Sequence, residues 1–401
     1  MRGRRRPCTC GNPGVSLSTQ PPRSSSLSSD PRRTHVTVSG GGGYPVIVAP
    51  GSVNGLAKLL DEFAPAHRYA IIADSRVAEL HGDRVRRLVR ETGRPAALHT
   101  FPPGENQKSR ERWIELTDAL LADGLGRDSC VVALGGGVTG DLAGFVAATF
   151  LRGIPVVQLP TSLVAMIDSA VGGKTGVDVP AGKNLVGAFH PPRLVVADPE
   201  LALTLPPAER AQGLAEALKH GAIADLAYLE ALENRADDLL AGHLEATTVA
   251  VDRSVRIKAD VVSRDEREGG LRQILNFGHT LGHALEACSQ YTIPHGSAVA
   301  RGMVLAARVG EELGLTAPET SARIASAVRA FGLPAEGALP APAGDLVRMT
   351  RTDKKVRGGA VRYVLLERAG VVLGGDSWSH AVEDAVVEGV LAASSGGGRR
   401  V

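Results

Sequence analysis

Between residues 44 and 200 the chain alternates short apolar runs with longer stretches of helical period. The runs are YPVIVAP (44–50), YAIIA (69–73), AALHTF (96–101), CVVALG (130–135), IPVVQLP (154–160) and LVVAD (194–198). Rich in β-branched residues and bounded by turn formers, they have the pattern of parallel strands covered on both faces by helices. From about 205 to 335 the period becomes helical with scarcely any strand signal, as in PPAERAQGLAEALKHGAI (206–223), VAVDRSVRIKADVVSRDE (249–266) and ILNFGHTLGHALEACS (274–289). The pattern predicts an α/β plus all-α chain: an α/β domain over 36–203, then a mainly helical domain over 204–393. A short β pair near 360–375 and a closing helix from about 378 complete the second domain, and no internal repeat is visible.

Residues 1–35 are rich in Arg, Ser and Pro, carry no acid before Asp30, and show no period that buries a face. They are expected to be a disordered tail, as is the glycine-rich end over 394–401. The N-terminal composition also suits an organellar transit peptide, and an upstream-extended start in a GC-rich genome has the same look; the expected location is the cytoplasm.

Composition narrows the partners. Lys and Arg total 45 against 43 for Asp and Glu, so the chain has no global field to draw nucleic acid or an acidic membrane. No run of about eighteen apolar residues marks a spanning helix. Cys8, Cys10, Cys130 and Cys288 are too scattered for a disulfide scaffold or a zinc knuckle, and reduced thiols are expected. The 48 glycines in 401 residues are about 12% of the chain, above the usual roughly 7%.

Two glycine clusters carry chemistry. VVALGGGVTGDLAGFVA (131–147) runs a buried strand through Gly135-Gly136-Gly137 into a helix, a junction where backbone N–H groups and the helix dipole receive a pyrophosphate. A ligand-free turn would look similar, since the cluster is not G-x-G-x-x-G. DSAVGGKTGVDVPAGKN (168–184) adds Lys174 and Lys183 beside glycines, an arrangement suited to anionic groups.

His279 and His283 fall four apart on one helix face, and His295 opens a following helix. With Glu216 of GLAEALKHG they form a candidate divalent-metal set. Spacing leaves open which of His279 and His283 is a ligand and which a proton carrier. Basic residues thicken around the same segments: Arg152, Lys174, Lys219, Lys258, Arg272 and the pair Lys354/Lys355. An isolated lysine is most often a solvated surface charge, but Lys174, Lys219 and Lys258 stand among apolar and glycine residues. A small phosphate- or carboxylate-bearing substrate suits such a focus.

These residues lie in long blocks: GGGVTGDLAGFVAATFLRGI, QLPTSLVAMIDSAVGGKTGVDVPAGKNLVGAF, GLAEALKHG, IKADVVSRDEREGGLRQILNFGHTLGHALE, HGSAVARGM and the DKK near the end. In order, from about 36 to 390, the sequence resembles the 3-dehydroquinate synthases of the sugar phosphate cyclase superfamily. The resemblance implies a Rossmann-like NAD-binding α/β domain, a helical metal-binding C-terminal domain, an active site between them and a homodimer. It implies zinc or cobalt on Glu216, His279 and His295, and catalytic roles for His283, Lys174, Asn276, Lys258, Arg272 and Glu268. NAD contacts are implied at Asp74, Glu105, Lys108, Gly136, Gly137, Asp141, Thr161, Ser162, Lys183 and Thr204. Substrate contacts are implied at Asp168, Lys174, Asn184, Lys219, Lys258, Arg272, Asn276 and one of Lys354 and Lys355, with Lys354 favoured. Arg152 is expected near the neighbouring subunit's site.

The implied reaction turns the seven-carbon sugar acid phosphate DAHP into 3-dehydroquinate and phosphate, through transient oxidation, elimination, reduction and aldol closure. Two alternatives stand beside it: an aminodehydroquinate synthase acting on the 4-amino analogue, and an NAD- and metal-dependent alcohol dehydrogenase, which has no reason for the Lys174, Lys258 and Arg272 set. A non-catalytic binding protein is disfavoured by the intact acid/base positions. Ser297, where many relatives carry Glu, is expected at the surface or just behind the metal set, leaving it intact.

Overall fold

All six apolar runs form strands in the computed structural model of the chain, which describes residues 32–39, 42–351, 361–375 and 377–395. The strands before residue 198 are β1 (Arg32–Val38), β2 (Gly42–Val48), β3 (Tyr69–Asp74), β4 (Ala96–Phe101), β5 (Cys130–Gly135), β6 (Val156–Pro160), β7 (Lys174–Val179), β8 (Gly182–Phe189) and β9 (Leu194–Ala197). Seven make one sheet in the order β1-β2-β9-β6-β5-β3-β4, parallel except for β1.

Helices α1 (Leu56–Phe63), α2 (Asp83–Arg90), α3 (Arg110–Ala122) and α4 (Gly137–Thr149) cover both faces. Tyr69, Ile71, Cys130, Val132 and Leu134 pack with Leu56, Leu60, Val85 and Val89 on one side. Ala70, Ile72, Val131 and Ala133 pack with Leu116, Leu120, Leu142 and Val146 on the other. Burial on both faces is why these strands read as unbroken apolar runs. The chain leaves β3 for β4 on one side and returns to β5 on the other. The carboxyl ends of β3 and β5 therefore flank a switch point, where open α/β sheets bind ligands.

Two elements correct the expectations. Arg32–His35, placed in the tail, belong to β1, because the exposed arginines conceal a strand whose ladder is completed by β2 from Arg32↔Val48 to Val38↔Gly42. The second glycine cluster, absent from the strands that the apolar runs predict, forms an antiparallel hairpin, β7–β8.

Beyond residue 206 the chain is mostly helical. Helices α5 (Pro207–Ala224), α6 (Leu244–Arg264), α7 (His279–Cys288) and α8 (His295–Glu312) carry the residues of interest. Short pairs link Arg362–Tyr363 with His380–Ala381 and Leu366–Arg368 with Val371–Val372, and the closing helix runs Asp384–Ser395, later than expected. Its last two residues lie beyond the predicted boundary at 393. Lys354 and Lys355 lie outside the described residues. Among the described residues, no helix is long and apolar enough to cross a membrane.

Candidate active site

The first glycine cluster ends β5 at Gly135 and opens α4 at Gly137. Gly136 is extended at the N-cap and no side chain caps the helix, so its first N–H groups are left for an anion to satisfy. A Cβ on Gly137 would come within 3.3 Å of Ser169 Oγ, and one on Gly136 within 3.3 Å of Ser162 Oγ. The turn is thus pressed against the segment after β6, where Thr161 N donates to Gly135 O at 2.9 Å.

Around this turn the residues implied for NAD gather at the carboxyl ends of the strands. Asp74 ends β3 and accepts a hydrogen bond from Val77 N at 3.0 Å. Thr204 Oγ1 lies 3.5 Å from His81 Nε2, in the segment that follows β3. Lys108 Nζ lies 2.6 Å from Asp141 Oδ2 and also donates to Asn184 Oδ1, while Lys183 Nζ lies 3.6 Å from Glu105 Oε1. Burial opposes the charge on Lys108, but Asp141 and Glu105 outweigh it and hold its pKa above the ordinary value. Burial pushes the Asp141 carboxyl up, with Lys108 opposing. Asn184, implied as a substrate contact, is placed by the hairpin beside these residues.

The metal candidates come from three helices. Glu216 is on α5, His279 and His283 on α7, and His295 opens α8. Gly278, with φ of 78°, lets α7 start against α8: a Cβ there would meet Met303 Cγ at 2.6 Å. The ligand atoms of Glu216, His279 and His295 lie within 4.8 Å of one another. Glu216 Oε1 is 3.5 Å from His279 Nε2 and 3.4 Å from His295 Nε2. Ligands about 2.1 Å from a tetrahedral zinc ion stand about 3.4 Å apart, so these separations fit an ion between them. Burial alone would raise the Glu216 carboxyl, but Lys219 and His279 hold it below the ordinary carboxylate range. Burial drives His279 well below its ordinary value, leaving a neutral imidazole.

Ser297 is not at the surface. It is buried, with its N–H donating to Gln212 Oε1 at 2.7 Å and its Oγ accepting from Gln212 Nε2 at 2.9 Å, which ties α8 to α5 one turn before Glu216.

Asp168 joins the donor set to the glycine turn. Its Oδ1 lies 2.8 Å from Lys258 Nζ, 3.6 Å from Lys219 Nζ and 3.7 Å from His220 Nε2. Lys219, on the same face of α5, also pairs with Glu216 Oε2. Burial opposes ionisation of Asp168, but Lys219 and Lys258 hold it well below its ordinary value. Arg272 is 2% exposed and spends its guanidinium on Gly172 O, at 3.0 Å, and on Glu266 O. Glu268 gathers two of the substrate candidates, pairing with Lys174 and accepting from Asn276 Nδ2 at 2.5 Å. Arg152 stands apart from this cluster, exposed beside Leu151 in a turn where both have left-handed φ.

Two residues escaped the sequence reading. His220 is fully buried behind Asp168, and neither of its ring nitrogens has a hydrogen-bond partner among the described residues. Glu286 lies beside both His295 and Lys183. For Glu286 a signal existed: His279, His283 and Glu286 follow at i, i+4 and i+7, one face of a helix.

Comparison with solved structures gives the class. A 2-deoxy-scyllo-inosose synthase complexed with carbaglucose-6-phosphate, NAD+ and Co2+ superposes with a TM-score of 0.83 at 24% identity, covering 90% of this chain and 100% of that one. The 2-epi-5-epi-valiolone synthase from Streptomyces hygroscopicus subsp. jinggangensis, with NAD+ and Zn2+ bound, gives 0.80 at 27% identity, covering 89% and 98%. The fold is that of the sugar phosphate cyclases. Family models described as 3-dehydroquinate synthase N-terminal and C-terminal match residues 98–212 and 213–356. The 3-dehydroquinate synthase of Symbiobacterium thermophilum is 45% identical over 335 residues, 82% of this chain and 93% of that protein. The chain belongs to the 3-dehydroquinate synthase family.

Proposed function

We propose that this chain converts DAHP to 3-dehydroquinate and phosphate, using NAD and one zinc or cobalt ion. The observation that carries this reading is Lys219, which spans Glu216 of the donor set and Asp168 of the segment packed on the Gly137 turn. Metal candidates, anion-binding lysines and dinucleotide turn thereby share one site. When bound, the dinucleotide supplies reversible hydride removal and the divalent ion supplies Lewis acidity.

The protein's part is placement. Glu216, His279 and His295 hold the ion, and Asp74, Glu105, Lys108, Gly136, Gly137, Asp141, Thr161, Ser162, Lys183 and Thr204 hold the dinucleotide. Lys174 and Asn276 take the substrate phosphate, displacing Glu268, which now neutralises Lys174 as that anion would. His283 relays protons beside them. Lys258 holds the substrate carboxylate, and Arg272, bound to two carbonyls, lends its charge from behind. Asp168, Lys219 and Asn184 complete the substrate pocket.

The division into a dinucleotide domain and a metal domain falls near residue 204. The working form is a homodimer in the cytoplasm, with Arg152 on its exposed turn reaching the second copy's site. The decisive assay gives purified protein NAD and zinc or cobalt, then DAHP or its 4-amino analogue. Phosphate release from DAHP without net NADH is expected; preferential turnover of the amino analogue, or inactivity toward both with metal bound, overturns the proposal.

A further inference from the structure

We infer that Glu286 is a positioning residue for His295, and that it joins the metal set to Lys183 of the β7–β8 hairpin. Glu286 is 4% exposed on α7, and its Oε2 lies 3.2 Å from His295 Nδ1. A carboxylate only accepts, so the ring donates its Nδ1 proton there, which leaves Nε2, 3.4 Å from Glu216 Oε1, as the ring atom available to an ion. Carboxylate bonds of this kind fix the tautomer and orientation of metal-binding histidines. The assignment rests on the reading that Glu216, His279 and His295 hold the ion.

The other oxygen of Glu286 faces the α/β part of the molecule. Lys183 Nζ lies 3.6 Å from Glu286 Oε1, 3.6 Å from Glu105 Oε1 and 4.5 Å from the centre of the Tyr291 ring. A row of charges therefore runs from Glu105 through Lys183, Glu286 and His295 to Glu216. Lys183 is implied for the dinucleotide and His295 for the ion, and Glu286 is the residue that touches both.

A second geometry competes. The ligand atoms of His283, Glu286 and His295 also lie within 4.8 Å of one another, as a second ion would need. Two features weigh against that use: the Lys183 ammonium already neutralises Glu286 and repels another cation, and His295 Nδ1 is spent on the hydrogen bond.

The test measures zinc affinity by competition with a chromogenic chelator, the visible spectrum of the cobalt-loaded protein, and melting temperature with and without zinc. Glu286→Gln is expected to weaken zinc by about 10- to 100-fold, to alter the cobalt bands, and to leave the metal-free melting temperature unchanged while shrinking the rise that zinc brings. Unchanged affinity overturns the inference. So does an equal fall in melting temperature with and without zinc, the mark of a merely structural role. Two zinc ions per wild-type chain, one of them lost in Glu286→Gln, overturns it in favour of a second ion. Should Glu286→Gln fail to fold, Glu286→Asp keeps the charge but withdraws it by one methylene, and the same readings apply. His279→Ala is the control: if it still binds zinc with wild-type affinity, the underlying metal set is wrong, whereas its loss beside an unaffected Glu286→Gln refutes this inference alone.

Discussion

Lys258 is held twice by Asp168: its ammonium lies 2.8 Å from Oδ1 and donates to the backbone carbonyl at 2.6 Å. Burial lowers its pKa to about 8, with Asp168 opposing the fall and Lys219 and Arg272 adding to it. In the proposed role the charged group holds the substrate carboxylate below that value, and the neutral amine above it does not. The kcat/KM for DAHP, which reports the free enzyme, is expected to fall on the alkaline side with an apparent pKa near 8. Lys258→Arg, charged throughout, should lose that limb. Phosphate-release rates from neutral to alkaline pH check this, and an identical limb in Lys258→Arg assigns it to another group.

Lys219 is 1% exposed and serves two buried carboxylates, Glu216 and Asp168. Burial opposes its charge, but Asp168 and Glu216 outweigh it and raise its pKa. Removing one partner of a buried ion pair leaves the others uncompensated, at a cost of about 3–5 kcal/mol. Lys219→Met should lose that much in urea unfolding of the metal-free protein, and adding Asp168→Asn should restore part of it. A loss under about 1 kcal/mol would show that the pair is worth no more than a surface bridge.

How much could be read from the sequence depended on what each residue faces. The run CVVALG announces β5 because both faces of that strand are covered, so each position is apolar. The run RRTHVTV conceals β1, since an edge strand with exposed arginines is specified by its ladder to β2 more than by its own pattern. Hairpin β7–β8 was hidden for a related reason: its glycines are tolerated because the backbones lie close, a Cβ on Gly187 falling 2.1 Å from Thr175 O. Within the site, His279 and His283 are announced by helical spacing. The links Lys219–Asp168 and Lys183–Glu286 span different elements, so only the fold brings them together. Resemblance chose His279 over His283 as the ligand; geometry adds that Arg272 is occupied by carbonyls and that Glu268 pairs with Lys174 and Asn276.

Gly278 precedes His279 and has φ of 78°, with Met303 Cγ at 2.6 Å and Met303 N at 2.7 Å from where a Cβ would stand. An L-residue in that left-handed conformation costs about 1–2 kcal/mol, and the clash adds about 1–3 kcal/mol. Gly278→Ala should therefore lower the unfolding free energy by at least the smaller sum and weaken zinc binding, because α7 must move away from α8. Gly269→Ala, in an exposed place with nothing closer than 3.8 Å, is the control and should be near neutral. Equal stability of the two variants would refute the close-packing account of the helix pair.

His279 and His283 share one helix face, with ring centres 5.4 Å apart, yet Glu216 Oε1 lies 3.5 Å from His279 Nε2 and the metal-competent set that contains Glu216 omits His283. Single substitutions should therefore separate binding from turnover. His279→Ala is expected to lose the ion, and with it the rise in melting temperature on adding zinc. His283→Ala is expected to keep one zinc per chain while phosphate release slows by about 100- to 10,000-fold, the range for loss of a proton-transfer group. Metal content by elemental analysis, read beside kcat at saturating DAHP, checks both. If His283→Ala loses zinc while His279→Ala retains it, the ligand and the proton carrier have been exchanged, and the Glu216 contact to His279 belongs to the metal-free protein alone.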